Sequence, residues 1–484
     1  MKISNYFFLA ALATLFVLSA CSKEDLKQTD SNEALQGYIT LTVSNPPGAR
    51  TTGTPTEPGL PAESVIDDVT VVFANSAGVI QHVATPSISS SGTTDKFQIS
   101  LGTYYVYALV NCPIATADLA ATTNIDRVIS GVTAQEASTG YKSGKFFMVN
   151  QHNPNTVHAG VQTTVSAANT VNNPAQATIY VDRVAAKIED PTGYTANAPV
   201  ITDLTAKTSL LDAVEITGFV LLNGNKQFNL VQQWNSANPN GALNPLADDN
   251  VLSTPLFPGG TELVSDQYFN NISTYTQLTK DAGTGNVTAM TDLTKDSPTI
   301  TYGLGPVYTT ENRPTLSFYG ASNKITSGRG ETTGVIYKVQ AKKSGANAPT
   351  FYKYREQVYA TLTIINALPD FSGVDLSTYS IPQLRGLGIQ VYENGVMYYT
   401  YFILDPNTTH QYNGSDYYGV FRNSVYKLKI SSISDLGEDV PGGGTVDPSQ
   451  PGEPGNPPID KEEAYIQVSV TVNPWIINTI DIKF

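Results

Sequence analysis

The stretch that most constrains this chain is its last one, Ala464 to Phe484, which reads AYIQVSVTVNPWIINTIDIKF. Ile466, Val468, Val470 and Val472 alternate with Gln467, Ser469, Thr471 and Asn473. A period of two puts all four aliphatics on one face of a strand. After Pro474 and Trp475 the alternation resumes with Ile480, Ile482 and Phe484. The preceding run, Glu438 to Glu463, is EDVPGGGTVDPSQPGEPGNPPIDKEE. Its proline, glycine and acidic residues cannot build a core. A single strand with one apolar face is not stable in water. This one therefore docks on its own body or on another molecule.

Only 14% of the 484 residues are charged, and the net charge is -14. That excludes a nucleic-acid partner, which needs clustered Lys and Arg against phosphate. The 27 Tyr, 38 Gly and 29 Pro favour strands and turns over helices.

Met1 to Ala20 reads as a secretory signal, with Lys2 as its positive end and Tyr6 to Leu18 as a short apolar core. Leu18-Ser19-Ala20-Cys21 resembles a bacterial lipobox, in which Cys21 carries a lipid anchor; ordinary cleavage near Ala20 is the alternative. With Cys21 lipidated, Cys112 is the other thiol and no intramolecular disulfide forms. Its place after the strand Tyr104 to Val110 suits a buried, inert thiol.

Gly37 to Val43, GYITLTV, alternates in the same way as the C-terminal stretch, with Ile39, Leu41 and Val43 on one face. A loop rich in proline and glycine follows and contains Arg50, the only Lys or Arg between Lys27 and Lys96. An Arg exposed on such a loop is a protease target. Beyond a linker at 51–63, alternation predicts strands at 69–73, 97–101, 104–110, 146–149, 177–188, 214–222, 228–231, 315–319, 335–342, 359–364, 388–393, 397–404 and 424–431. The stretch 161–176 reads as a connection, and 114–141 as the best place for short helices. Asn223-Gly224-Asn225 and Asn394-Gly395 read as hairpin turns. Many short strands punctuated by turns indicate β-sandwiches.

Chemistry is sparse. His82, His152, His158 and His410 lack metal-ligand spacing. Gly140 to Lys145 is one residue short of a phosphate-binding loop, and the oxygen-rich Asp405 to Asp416 fails calcium-loop spacing. No catalytic constellation and no cofactor are expected.

Several blocks together resemble the fimbrillins of Bacteroidales type V pili. They are the lipobox; the strand and loop ending at Arg50; Tyr104 to Asn111; Val184 to Lys187; Tyr398 to Asn407; Phe421 to Ile430; and Val470 to Trp475. The resemblance implies an all-β fold of two β-sandwich, transthyretin-like domains with minor helix, plus exchangeable strands at both ends. The divisions are a signal peptide at 1–20, a propeptide at 21–50, sandwiches at 51–182 and 183–437, a linker at 438–463 and a donor strand at 464–484. It further implies export as an outer-membrane lipoprotein, a role in adhesion at the cell surface, and cleavage of the Arg50–Thr51 bond by an Arg-specific protease. The strand bearing Ile39, Leu41 and Val43 is then lost, and a neighbouring copy fills the groove with Ile466, Val468, Val470 and Val472, locked by Trp475. Burying four aliphatics is worth roughly 6–12 kcal/mol before entropy. Such a head-to-tail contact gives a filament. Anchor and tip pilins are implied as further partners. Having both Arg50 and a donor-like tail, the chain reads as a stalk subunit. The competing expectation is a surface glycan-binding lipoprotein, with the tyrosine-rich strands as platforms.

Overall fold

The computed structural model describes residues 36–44, 57–58, 63–125 (apart from 113, 115 and 122), 146–151, 159–189, 208–232 (apart from 223 and 226–229), 269–270, 306–311, 317–319, 324–326, 333–405, 417–439 (apart from 434) and 466–476. Strands dominate. The first part of the chain contains β1 (Gln36–Ser44), β2 (Glu57–Pro58), β3 (Val69–Ala74), β4 (Ile80–Ala84), β5 (Phe97–Ser100), β6 (Gly102–Val110), β7 (Met148–Asn150), β8 (Val161–Val165) and β9 (Ala175–Arg183). The second contains β10 (Ala185–Glu189), β11 (Ala213–Leu222), β12 (Gly224–Asn225), β13 (Phe269–Asn270), β14 (Val307–Thr310), β15 (Ser317–Tyr319), β16 (Lys324–Thr326), β17 (Gly334–Lys343), β18 (Ala346–Asn347), β19 (Phe351–Tyr354), β20 (Gln357–Tyr359), β21 (Gln390–Tyr392), β22 (Val396–Phe402), β23 (Leu404–Asp405), β24 (Tyr417–Tyr418), β25 (Ser424–Ile433) and β26 (Ile466–Ile476).

The first sheet runs β4-β3-β6-β7-β9-β1-β5, with β8 on β6. Every residue of β3, VTVVFA, is buried. A strand covered on both faces reads as a continuous apolar run. One face carries Val71, Phe73, Val106, Met148, Ile179 and Val181 into a core that includes β1. The other face, with Val72, Tyr107, Leu109 and Phe146, packs against Val184, Ala185, Leu230 and Val425 of the second half.

In the second half, one sheet runs β14-β10-β25-β26-β2 and another β11-β17-β18, with β22 also on β17. Ile188, Tyr426 and Leu428 meet Phe219, Tyr337, Val339 and Tyr399 in the core between them. A satellite lies on β20-β19-β21. It adds α1 (Leu362–Asn366) and α2 (Ile381–Gly386) around Ile365, Phe371, Leu376, Leu384 and Val391.

The molecule departs from several expectations. The predicted strand 359–364 ends at Tyr359, and its apolar residues Leu362 and Ile364 belong to α1 instead. Helical spacing puts Ile365 into the satellite core and leaves Ile364 exposed. The run 177–188 is two strands: at Val184 the chain passes from one sheet to another, and the Val184 amide donates to the Phe147 carbonyl at 3.1 Å. The stretch 161–176 includes β8, paired with β6. Leu230 and Val231 are buried in a bend rather than a strand. Among the described residues neither predicted hairpin is seen. Gly224 and Asn225 are strand residues paired with β13. Asn394 and Gly395 do take φ of 53° and 72°, but they hand the chain from β21, on β19, to β22, on β17. A Cβ on Gly395 would lie 2.8 Å from the Ala348 carbonyl oxygen, so the approach demands glycine.

Candidate strand-exchange groove

β1 is an interior strand made from the beginning of the chain. It runs parallel to β9 from Ile39↔Ala175 to Ser44↔Tyr180. On its other edge it runs antiparallel to β5 from Gln36↔Ser100 to Ile39↔Phe97. Where β5 ends, the loop at 92–94 takes over. The Val43 amide donates to the Gly92 carbonyl at 2.8 Å, and the Thr94 amide to the Leu41 carbonyl at 3.0 Å. The Leu41 amide donates to the Thr94 hydroxyl at 3.0 Å, and the Thr40 hydroxyl to the Thr94 carbonyl at 2.9 Å. Gly92, at φ 79°, comes so close that a Cβ would lie 2.2 Å from the Val43 carbonyl oxygen. Backbone groups are thus satisfied along both edges, as burial requires.

The side chains follow the period of two. Ile39, Leu41 and Val43 are each 0% exposed and lie among Val71, Phe73, Ile99, Tyr104 and Val106. Phe73 meets Phe97 and Tyr104 edge to face, at 6.0 and 5.5 Å between centroids. Without β1, the sheet would have two facing edges one strand apart and a three-pocket apolar trench.

Glu63 and Ser64 follow β1 and β2 in the chain and are held by a buried polar cluster. The buried Arg183 donates from Nε to the Glu63 carbonyl at 2.8 Å and from its Nη2 to the Ser64 hydroxyl at 3.1 Å. The Glu63 carboxylate pairs with Lys187 at 3.3 Å and accepts from the Tyr308 hydroxyl at 2.5 Å. Burial lowers the Arg183 pKa to about 9 against the raising fields of Glu63 and Asp182. Burial, and then the bond to Glu63, pushes the Tyr308 phenol upward. This buried polar cluster fastens residues 63–64 where the two halves meet.

At the other end of the chain, β26 pairs antiparallel with its own β25, from Ser424↔Pro474 to Ile433↔Ile466, with a bulge between Ile430 and Ser432. Among the described residues its far edge pairs with β2 at Glu57↔Trp475 and Pro58↔Ile476. The body that releases the tether is secured. Asp439 accepts from Arg385 Nε at 2.6 Å and from the Val391 amide at 2.7 Å. Tyr398 and Glu438 exchange backbone bonds of 2.8 Å. Tyr392 donates to the Gly437 carbonyl at 2.9 Å.

Ile39, Leu41 and Val43 therefore come together with β5, β9 and the 92–94 loop. The backbone of Ile466, Val468, Val470, Val472 and Trp475 lies in β26. Cys21, Arg50 and Thr51 lie outside the described residues, as do His152, His158, His410 and 140–145. The partly buried Cys112 thiol is pushed up to about 12, chiefly by burial, which makes it a poor nucleophile. Asp405 accepts from the Tyr426 hydroxyl at 2.8 Å. Among the described residues no group of three or more His, Cys, Asp or Glu is arranged to hold a metal ion. Sequence reasoning missed Thr94, Gly92 and Arg385. None sits in an alternating run, and only Gly92 carried a signal, as a turn glycine in SSSG.

Residues 390–481 match the family described as major fimbrial subunit protein type IV, fimbrillin, C-terminal. No curated protein matches the chain. Among solved structures, a fimbrilin from Porphyromonas gingivalis is similar at 14% identity and a TM-score of 0.42, covering 91% of this chain and 98% of that one. A C-terminally truncated tip fimbrial protein from the same organism is similar at 11% and 0.32, covering 91% and 100%. A fimbrial assembly protein from Parabacteroides distasonis is similar at 10% and 0.30, covering 82% and 91%. The described residues define an all-β molecule with two short α-helices. Similarity to a named family is carried by residues 390–481, the fimbrillin C-terminal match.

Proposed function

We propose that this chain is a fimbrillin, a stalk subunit of a cell-surface pilus that polymerises by strand exchange and contributes to adhesion. It is exported as an outer-membrane lipoprotein anchored through Cys21, and an Arg-specific protease cuts the Arg50–Thr51 bond. The strand of Ile39, Leu41 and Val43 then leaves, and the C-terminal segment of a neighbouring copy takes its place. The acceptor is the 51–182 sandwich; the donor is the 464–484 strand, freed on the 438–463 linker. Anchor and tip pilins end the filament.

The observation that carries this reading is the placement of β1. A strand bonded on both edges and buried over three aliphatics precedes the cleavable loop, while the other end of the chain has the same alternation. Its three pockets offer roughly 5–9 kcal/mol to a replacement strand, before entropy. Among the described residues, β26 on its own sheet pairs along one edge, with a bulge, and at two positions of the other. The groove offers pairing along both. Cleavage makes the better site available.

The test is to treat purified precursor with an Arg-specific protease and look for SDS-resistant ladders and filaments. Arg50→Ala is expected to stay monomeric, as is a chain truncated after Gly437. Ladders from either variant would overturn this reading. Polysaccharide capture without laddering would support the glycan-binding alternative.

A further inference from the structure

We infer that the C-terminal segment enters the groove in one register, with Ala464 in the place of Gly37 and Ile466, Val468 and Val470 in the places of Ile39, Leu41 and Val43. The inference rests on the strand-exchange reading above.

The groove has three aliphatic pockets and one closed inward position. Residue 37 faces inward with 39, 41 and 43. A Cβ built there would lie 2.6 Å from Val165 Cγ1, 2.9 Å from the Ser166 carbonyl oxygen and 3.3 Å from Leu101 Cδ2. Glycine fits this slot. Alanine enters only if the Val165 side chain swings away by most of an ångström and the Ser166 carbonyl shifts as well. A branched side chain does not enter, because backbone forms part of the wall.

The order of residue types in the tail matches that plan. GYITLTV and AYIQVSV share a small residue, a tyrosine, an isoleucine and two further aliphatics at the same spacing. In β1 the Tyr38 hydroxyl accepts from Gln98 Nε2 at 3.1 Å, a bond that Tyr465 would remake. Other registers fail. A slip of one residue turns the aliphatics outward. A slip of two in one direction forces Ile466 into the closed slot. A slip of two in the other puts Ala464 in the isoleucine pocket and leaves most of it empty. In the fitting register Pro474 falls at the place of Pro47, and neither residue has an amide to offer a ladder. Val472 then falls at position 45, beyond the last pocket, so three aliphatics are buried rather than four.

Paired cysteines test the register in full-length precursor after cleavage. Gln176 and Thr178 are both exposed on β9, opposite Thr40 and Thr42. Ser469→Cys is expected to form intersubunit disulfides with Thr178→Cys at least tenfold more than with Gln176→Cys or Tyr180→Cys. Preferential linking to position 176 or 180 would overturn the register and leave strand exchange standing. Ladders with no disulfide at any of the three would remove the donor from this groove and overturn both. No ladder from the cleaved parent chain would overturn strand exchange itself. Independently, Ala464→Gly is expected to assemble at least as fast as the parent, and Ala464→Leu at least tenfold more slowly. Parent-like assembly of Ala464→Leu would overturn the closed slot.

Discussion

Leu41 and Thr94 are bonded twice: the Leu41 amide reaches the Thr94 hydroxyl, and the Thr94 amide reaches the Leu41 carbonyl, both at 3.0 Å. A side-chain oxygen thus replaces a missing strand partner where β5 has ended. Thr94→Val keeps the shape and removes that acceptor. It leaves a buried amide unsatisfied, which costs about 1–3 kcal/mol. Urea denaturation of the uncleaved precursor is expected to show that loss, with an unchanged slope.

Leu41→Ala should separate folding from assembly. Leu41 is fully buried, so truncation is expected to cost about 2–5 kcal/mol in the precursor. In the cleaved protein the same change weakens the strand that must leave. We expect a shorter lag before ladders form, measured by gel time courses at equal protein concentration.

The pair of Arg422 and Glu311 is buried at 1% and 0% side-chain exposure. Glu311 also accepts from Gln232 at 2.9 Å. Arg422→Met strands a carboxylate in the interior and is expected to cost about 3–5 kcal/mol. Adding Glu311→Gln should recover part of that loss in thermal unfolding, because the unpaired charge is gone.

Asp439 closes the body at the start of the tether. Asp439→Asn weakens its charge-assisted bond to Arg385, and a bond of that kind contributes about 1.5–3 kcal/mol. The cut site for a broad-specificity protease is expected to move upstream from the linker toward Asp435, as read by mass spectrometry. The N-terminal groove should remain as resistant as in the parent.

Alkaline pH should unfold the protein from a defined side. Burial is the main cause that raises the Cys112 thiol and the Tyr104, Tyr308, Tyr392 and Tyr399 phenols above their ordinary values of 9.0 and 10.0. These groups keep their protons longer folded than unfolded. Their contribution is complete below about pH 9 and is lost as pH rises beyond it. Arg183, lowered to about 9, works in the opposite sense and is outnumbered. Tyrosinate absorbance from the buried phenols is expected to rise together with loss of near-UV dichroism.

Alternation alone found the core strands β3, β6, β11, β17 and β25 to within a few residues, because a one-sided or fully buried strand writes its period into the sequence. It failed at α1, where Leu-Thr-Ile-Ile reads equally as strand and only the satellite core selects the helix. The Ser380–Gln383 capping box of α2 was a legible signal. The break at Val184 was not legible, since Arg183 looks like any strand residue until Glu63, distant in sequence, meets it.

The sequence by itself determined that both chain ends are amphipathic strands of like pattern, one before a basic loop and one after a linker with no core-forming residues. Composition and local periodicity suffice for that. Only the tertiary structure decided that β1 is gripped between β9 and β5, that Ile39, Leu41 and Val43 are fully buried there, and that Val165 and Ser166 close the position at Gly37. Those are long-range contacts, and a groove belongs to the residues around it rather than to the strand that fills it.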